Sequence, residues 1–200
     1  MSELITEIAK KLNVEPEICL AVFQVESSGS GFDSNNRLII RFETHLFFDF
    51  WGKENFNLFY SHYSFSKGYR AKDHFFRVHY FDNWQPVHKN QISEYKAFNL
   101  GVKFDNVQAL KSISMGAPQI LGMNYELAGF KSVTEMYESF CSGINNQVKA
   151  FFVFLGNHAG GKCLKALREK DFENFEKYYN GRKDGVYANL MKQAYDKLKS

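Results

Sequence analysis

Apolar residues at Ile5, Ile8, Ala9 and Leu12 recur at the three- and four-residue spacing of a helix face, so residues 2–12 are expected to form a short amphipathic helix. Asn13-Val14-Glu15 breaks the pattern. Pro16 then suits the first position of a second helix, which runs through Ile18, Val22 and Val25 to Glu26. Ser27-Ser28-Gly29-Ser30-Gly31 is expected to end it sharply, because glycine accepts the left-handed backbone that many helix exits use. Asp33-Ser34-Asn35-Asn36 has turn composition, and Leu38 to Glu43 alternates like a strand, which together predict a small β-hairpin after the helix. Residues 44–51 return to helix. Residues 52–90 are aromatic and His-rich, without a clear period. Helical spacing resumes at roughly 91–99, 106–112, 117–121, 133–141, 144–156, 162–167, 171–178 and 184–198, punctuated by glycines. No repeat, low-complexity tract or proline-rich linker interrupts the chain, so residues 1–200 are expected to form one α+β domain, mostly α-helical, with a small β-hairpin beside its second helix.

Composition adds exclusions. A net charge of +3 without a basic cluster gives only weak attraction to anionic surfaces and argues against nucleic acid as a partner. The N-terminus is polar and carries acidic residues, and the longest apolar stretch, near Val148 to Leu155, is too short to span a bilayer. The expectation is a monomer made in the cytoplasm without a signal peptide and without stable membrane insertion. Cys19, Cys141 and Cys163 are odd in number and show no metal-ligand spacing, so Cys19 reads as a reduced, buried thiol. With 21 Phe and 11 Tyr the chain is rich in rings, which serve a core first and sugar faces second. His74 and His79 lie five apart, no HExxH is present, and neither a metal nor a cofactor is expected. A GxSxG elbow, a P-loop and a dinucleotide fingerprint are also missing.

Glu26 carries the clearest chemistry. It ends an apolar helix next to a glycine-rich break. The negative helix end and apolar surroundings both disfavour its ionised form, which suits a general acid. From position alone a plain helix-end glutamate that caps or faces solvent is the commoner case. The wider pattern changes the balance: Glu26-Ser27 is followed by Ser112-Ile113-Ser114-Met115-Gly116-Ala117-Pro118-Gln119-Ile120 and then by Tyr178-Tyr179-Asn180-Gly181. This order resembles goose-type lysozymes and soluble lytic transglycosylases, with a Glu-Ser at a helix end, a Gly-x-x-Gln-Ile helix start and a Tyr-Asn-Gly near the C-terminus. It more closely resembles the N-acetylmuramidase domain family of phage endolysins. The residues that carry that likeness are Ala21 to Phe32, Ile40-Arg41-Phe42-Glu43-Thr44-His45, Gly116 to Asn124, and Ala128-Gly129-Phe130.

The resemblance covers roughly residues 10–50 and 91–198. It implies a lysozyme-like fold, peptidoglycan glycan strands as substrate, and cleavage of the β-1,4 bond between N-acetylmuramic acid and N-acetylglucosamine with Glu26 as general acid. It also implies action on the periplasmic cell wall after release, through a holin. Glu43 is the expected second carboxylate; an ion pair with Arg41 is its structural alternative. Gln119, Asn124, Tyr179 and Asn180 are expected to line the cleft and hydrogen-bond the sugar. Their alternatives are a helix-start residue for Gln119, core for Tyr179 and a plain turn at Asn180-Gly181. Met115 stands where relatives carry Trp, and residues 52–90 match poorly. A lytic transglycosylase and an inactive wall-binding module are the rival readings.

Overall fold

The computed structural model describes residues 1–27, 30–66 and 73–200. Helix α1 (Ser2–Leu12) buries Ile5 and Ala9 and packs on α2 (Pro16–Glu26). α2 buries Ile18, Cys19, Ala21, Val22 and Phe23 and leaves Gln24 exposed, so most of its faces meet neighbours. It stops at Glu26 as expected, but not through a left-handed cap residue. Ser27 takes an extended conformation (φ −82°, ψ 108°) and its N–H caps Phe23 O, while Ser28 and Gly29 lie outside the described residues.

The expected hairpin is reduced to a turn at Asp33–Asn36 and a single bridge, Phe32 with Leu38. Strand β1 (Ile40–Phe42) instead pairs antiparallel with a distant strand, β5 (Ile113–Met115), which pairs in turn with β6 (Ile120–Leu121). Ile40 faces Met115 and Phe42 faces Ile113, both pairs buried, while Arg41 points outward. The helix expected at 117–121 is absent. Gly116–Gln119 forms a tight turn into β6, with Gly116 at φ 75° and Gln119 at φ 47°.

The other edge of β1 is closed by side chains of α5 (Gln91–Phe104). Gln91 accepts from Ile40 N–H (3.0 Å) and donates to Ile40 O (2.8 Å), and Glu94 Oε2 accepts from Phe42 N–H (2.8 Å). Tyr95 donates to Leu38 O at 2.6 Å. These groups stand in for a neighbouring strand and leave no open edge for another chain to pair with.

Residues 44–66 and 73–90 form a second, aromatic layer. α3 (Thr44–Phe47) runs into a π-helical turn at Phe48–Gly52, followed by α4 (Phe56–His62) and a small sheet of β2 (Tyr63–Ser64), β3 (Phe75–Phe76) and β4 (Gln85–Pro86). Trp51 is stacked between Phe47 and Phe104 at 5.0 Å each, and Tyr63 donates to Ala97 O. Most of the rings here serve the core, as Phe42, Phe47, Phe59, Tyr63 and Phe76 are fully buried. The remaining helices are α6 (Asn106–Lys111), α7 (Val133–Cys141), α8 (Ile144–Asn157), α9 (Lys162–Arg168), α10 (Phe172–Asn180) and α11 (Val186–Lys199), with α11 lying along α2. No helix among the described residues is long and apolar enough to cross a membrane.

One buried amide joins these parts. Gln147 on α8 is fully buried; its Oε1 accepts from Ala117 N–H (2.8 Å) and its Nε2 donates to Phe140 O (3.0 Å). A Cβ at Gly31 or Gly116 would collide with the same amide, so both positions require glycine for close approach. Ile39 bridges them, donating to Gly31 O and accepting from Gly116 N–H. Gln147→Leu would leave the Ala117 N–H and Phe140 carbonyl buried without partners. Each such group costs about 1–3 kcal/mol, so the variant should lose roughly 2–6 kcal/mol in urea denaturation. A loss below about 0.5 kcal/mol, ordinary for an inconsequential site, would remove Gln147 from this role.

Candidate active site

Glu26 is the last residue of α2 and is half-buried, with its Oε1 wholly buried and without a hydrogen-bond partner among the described residues. Burial raises its pKa from the ordinary 4.5 to about 8, against the opposing effect of the Tyr179 hydroxyl beside it. The helix C-terminus adds to the disfavour of charge. Buried Cys163 on α9 stands near enough to feel the Glu26 charge, and burial pushes its own thiol up to about 11. Glu26 is thus a carboxylic acid held protonated through neutral pH on a rigid element, which is the chemical equipment for donating a proton.

Tyr179 is in both worlds that the sequence allowed. Its ring stacks on Phe175 (5.3 Å) and lies near Phe151, Phe154, His158 and Tyr187, while its hydroxyl approaches Glu26. Burial and the Glu26 charge hold its phenol well above the ordinary value, so the hydroxyl remains a donor. The core packing therefore aims the one polar atom at the acid. Asn180 closes α10 and is exposed; its Oδ1 accepts from Arg182 N–H ahead of Gly181 at φ 75°, which makes it a turn residue. Gln119 folds its amide back onto Gly116 O (2.7 Å) and locks the β5–β6 turn. Asn124 ends a 3-10 turn at Gly122–Asn124 and is half-buried. Of the four expected cleft residues, only Tyr179 is shown beside Glu26.

Glu43 follows β1, where its N–H bonds Ser112 O. The ion pair with Arg41 is present, with Arg41 Nε donating to Oε1 at 2.8 Å. Its other oxygen, Oε2, faces two imidazoles, His45 Nδ1 at 3.6 Å and His74 Nδ1 at 3.7 Å. Glu43, His45 and His74 are the one group among the described residues arranged so that three donors could hold a metal ion. His74 is buried and 2.8 Å from His88 Nε2, and His88 Nδ1 is 2.8 Å from Glu94 Oε1. The sequence places Glu43 and His45 in one motif stretch, but the histidine pair it offers for a metal, His74 and His79, is not the pair the fold assembles. Gln147 was likewise missed: a lone glutamine in an apolar helix carries no spacing signal. Two open surface hollows of about 430 and 610 Å³ border α10 and α11, but neither is lined by Glu26.

The fold resembles that in the crystal structure of the Burkholderia AP3 phage endolysin, with a TM-score of 0.78 and 22% identity over 100% of this chain and 71% of that one. A comparison with curated proteins gives no match. The N-acetylmuramidase family model matches residues 15–199, nearly the whole sequence including Glu26, Glu43 and the Gly116 turn. The chain belongs to the N-acetylmuramidase family.

Proposed function

We propose that this protein is a peptidoglycan hydrolase that cleaves the β-1,4 bond between N-acetylmuramic acid and N-acetylglucosamine, with Glu26 as the general acid. One observation carries the reading: a desolvated carboxyl that stays protonated to about pH 8 at the end of a buried helix. Family membership supplies the substrate class. Glu26 protonates the glycosidic oxygen as the bond to the anomeric carbon breaks, and positive charge develops on the sugar ring. The Tyr179 hydroxyl steadies the carboxylate left behind. Glu43, ion-paired with Arg41, is the second carboxylate and stabilises the charged ring. Gln119, Asn124 and Asn180 enter this reading as flanking polar groups that meet the sugar only where their turn hydrogen bonds leave an atom to spare.

A second reading has a specific observation behind it. Glu43 turns Oε1 to Arg41 and Oε2 toward His45 and His74, so its carboxylate is engaged within the protein. A lytic transglycosylase needs only Glu26, since the sugar's own hydroxyl replaces water and closes a 1,6-anhydro ring. Mass spectrometry of released muropeptides separates the two, because anhydro ends are lighter by one water. The protein acts in either case on the cell wall, as a monomer reaching it after release through a permeabilised membrane.

Glu26→Gln should fold and lose lysis by at least about 100-fold, since the amide has no acidic proton to give. Retained turnover at matched thermal stability would end the assignment.

The pH dependence has two signs to check. On soluble oligosaccharide at fixed ionic strength, the wild-type rate should fall along a basic limb near pH 8, where Glu26 loses its proton. Stability moves with it. The unfolded chain ionises this carboxyl near 4.5 and the folded chain near 8, so the contribution is full below 4.5 and lost as pH rises toward 8. Glu26→Gln should therefore gain on the wild type across that window, by on the order of 2–4 kcal/mol at its upper end. Melting temperatures whose difference does not change with pH would show that Glu26 is not desolvated.

Glu43→Gln distinguishes the two readings of that residue. Turnover lowered by about 100-fold or more with oligosaccharide binding intact places it on the transition state. An unchanged rate with a lowered melting temperature assigns it to the Arg41 ion pair and the one-acid mechanism.

A further inference from the structure

We propose that the loop joining β3 to β4, residues 77–84, is an exposed aromatic platform that binds the glycan strand of peptidoglycan in addition to the cleavage site. Phe81 is 94% exposed, Tyr80 58% and Trp84 40%. Single apolar side chains on a surface need no explanation, but three large rings within five consecutive positions mark a binding surface. The loop is built to hold them out. Its base is tied to the end of α4, with Arg77 N–H donating to His62 O (2.9 Å) and Arg77 Nε to Ser61 O (2.8 Å). Its tip is a turn in which Asp82 N–H donates to His79 O (3.0 Å) and Asp82 Oδ2 accepts from His79 N–H (2.9 Å). Tyr80 and Phe81 are the central residues of that turn, with their rings edge-to-face at 5.2 Å. The Arg77 guanidinium carbon lies 4.5 Å from the ring centroids of both Tyr80 and Trp84, so cation–π contacts join the tip of the loop to its base. The rings are thus positioned before a ligand arrives, and binding has little side-chain freedom left to remove.

The residues between the rings identify the occupant. Asn83 and Gln85 are exposed amides. Flat apolar faces interleaved with amides match a sugar chain, whose rings offer C–H faces and whose edges carry hydroxyl and acetamido groups. Arg77 supplies a positive charge for the carboxyl-bearing N-acetylmuramic acid units, and Asp82 offsets it. A surface made for an anionic bilayer would instead surround its rings with an excess of lysine and arginine. Placement favours the same occupant. His74 Nδ1 lies 3.7 Å from Glu43 Oε2, and the chain from His74 through β3 to Arg77 spans about 10 Å. The platform therefore stands one short strand from the second carboxylate, within reach of a polymer engaged there. The inference rests on peptidoglycan as the substrate, and nothing in it depends on the role of Glu26.

The test is co-sedimentation with purified, insoluble peptidoglycan sacculi, using the full chain with Glu26→Gln as the parent so that the wall is bound and not digested. In that background Phe81→Ser should raise the dissociation constant by about 5-fold, and Tyr80→Ser combined with Phe81→Ser by at least about 10-fold, at matched melting temperature. Phe81→Ser is the deciding variant should the double variant lose stability, as its ring is almost wholly exposed. Fluorescence gives an independent readout. The chain has two tryptophans, and Trp51 is buried between Phe47 and Phe104, so acrylamide quenching reports Trp84. Soluble glycan strands should protect Trp84 from the quencher. Sacculus binding unchanged by Phe81→Ser would overturn the proposal, as would a Trp84 quenched equally with glycan bound. A loss seen only with anionic phospholipid vesicles would also overturn it, by assigning the loop to a membrane. Failure of the parent itself to sediment with sacculi is a different outcome: it would remove peptidoglycan as the substrate, and this surface with it.

Discussion

The Gln147 amide sets the distance between the halves of the molecule. Its carbonyl takes the Ala117 N–H and its amino group reaches Phe140 O, while Gly31 and Gly116 press against it with no side chain between. Gly31 belongs to the segment leaving the Glu26 helix, Gly116 and Ala117 to the turn that follows β5, and Gln147 to α8. A polar group in a dry place is held by its partners' geometry, because any displacement leaves a donor or acceptor unpaired. Apolar packing tolerates small slides at little cost; this contact does not. The glycines are consequently required by close approach, and at Gly116 also by a positive φ.

Around that fixed point the fold creates two unlike environments for carboxyl groups. Glu26 lies at the end of a largely buried helix, among Tyr179, Cys163 and the rings beyond them, where a charge is poorly solvated. Glu43 lies at the end of a strand, with a guanidinium on one oxygen and imidazoles by the other. The same functional group is driven toward a neutral acid in one place and supplied with a guanidinium partner in the other. That divergence is the physical basis for assigning them different work.

What the sequence made legible follows the range of the interactions. Helices with a local apolar period were found with small errors, and Val133–Cys141 was expected at those same bounds. The raised pKa of Glu26 was foreseeable because its cause is local, an apolar helix that stops; that this glutamate was singled out at all came from the order of motifs. The stretch 117–121 was expected to be helical, yet forms a turn and a strand. Its backbone is satisfied by Gln147, 30 positions away from Ala117, and by Gln119 folding onto Gly116. The partner of β1 was similarly hidden, since Ile113–Met115 is too short to announce itself as a strand. Residues 52–66 and 73–90 lack a period because long-range contacts, such as Tyr63 against Phe42 and on Ala97 O, hold them in place. The expected cleft residues were read from motif membership. Motifs record which residues recur together, and Asn180 and Gln119 turn out to make the turns on which such a motif rests.

Strand β1 carries the consequence furthest. It has three residues, too few to be stable as an isolated element, and is held on one edge by β5 and on the other by Gln91 and Glu94. Its near end connects through Ile39 to Gly31 and the Gln147 amide, and thus to the exit of the Glu26 helix. Its far end is Glu43, with Arg41, His45 and His74 around it. Glu94 makes the two ends dependent, because one oxygen takes the Phe42 N–H and the other takes His88. A change at His88 is therefore a change at a carboxylate that also holds the strand. The segment that leaves the Glu26 helix and the polar cluster meet the same three-residue strand, one at each end, so the position of β1 is fixed by long-range side-chain and backbone partners and not by its own length.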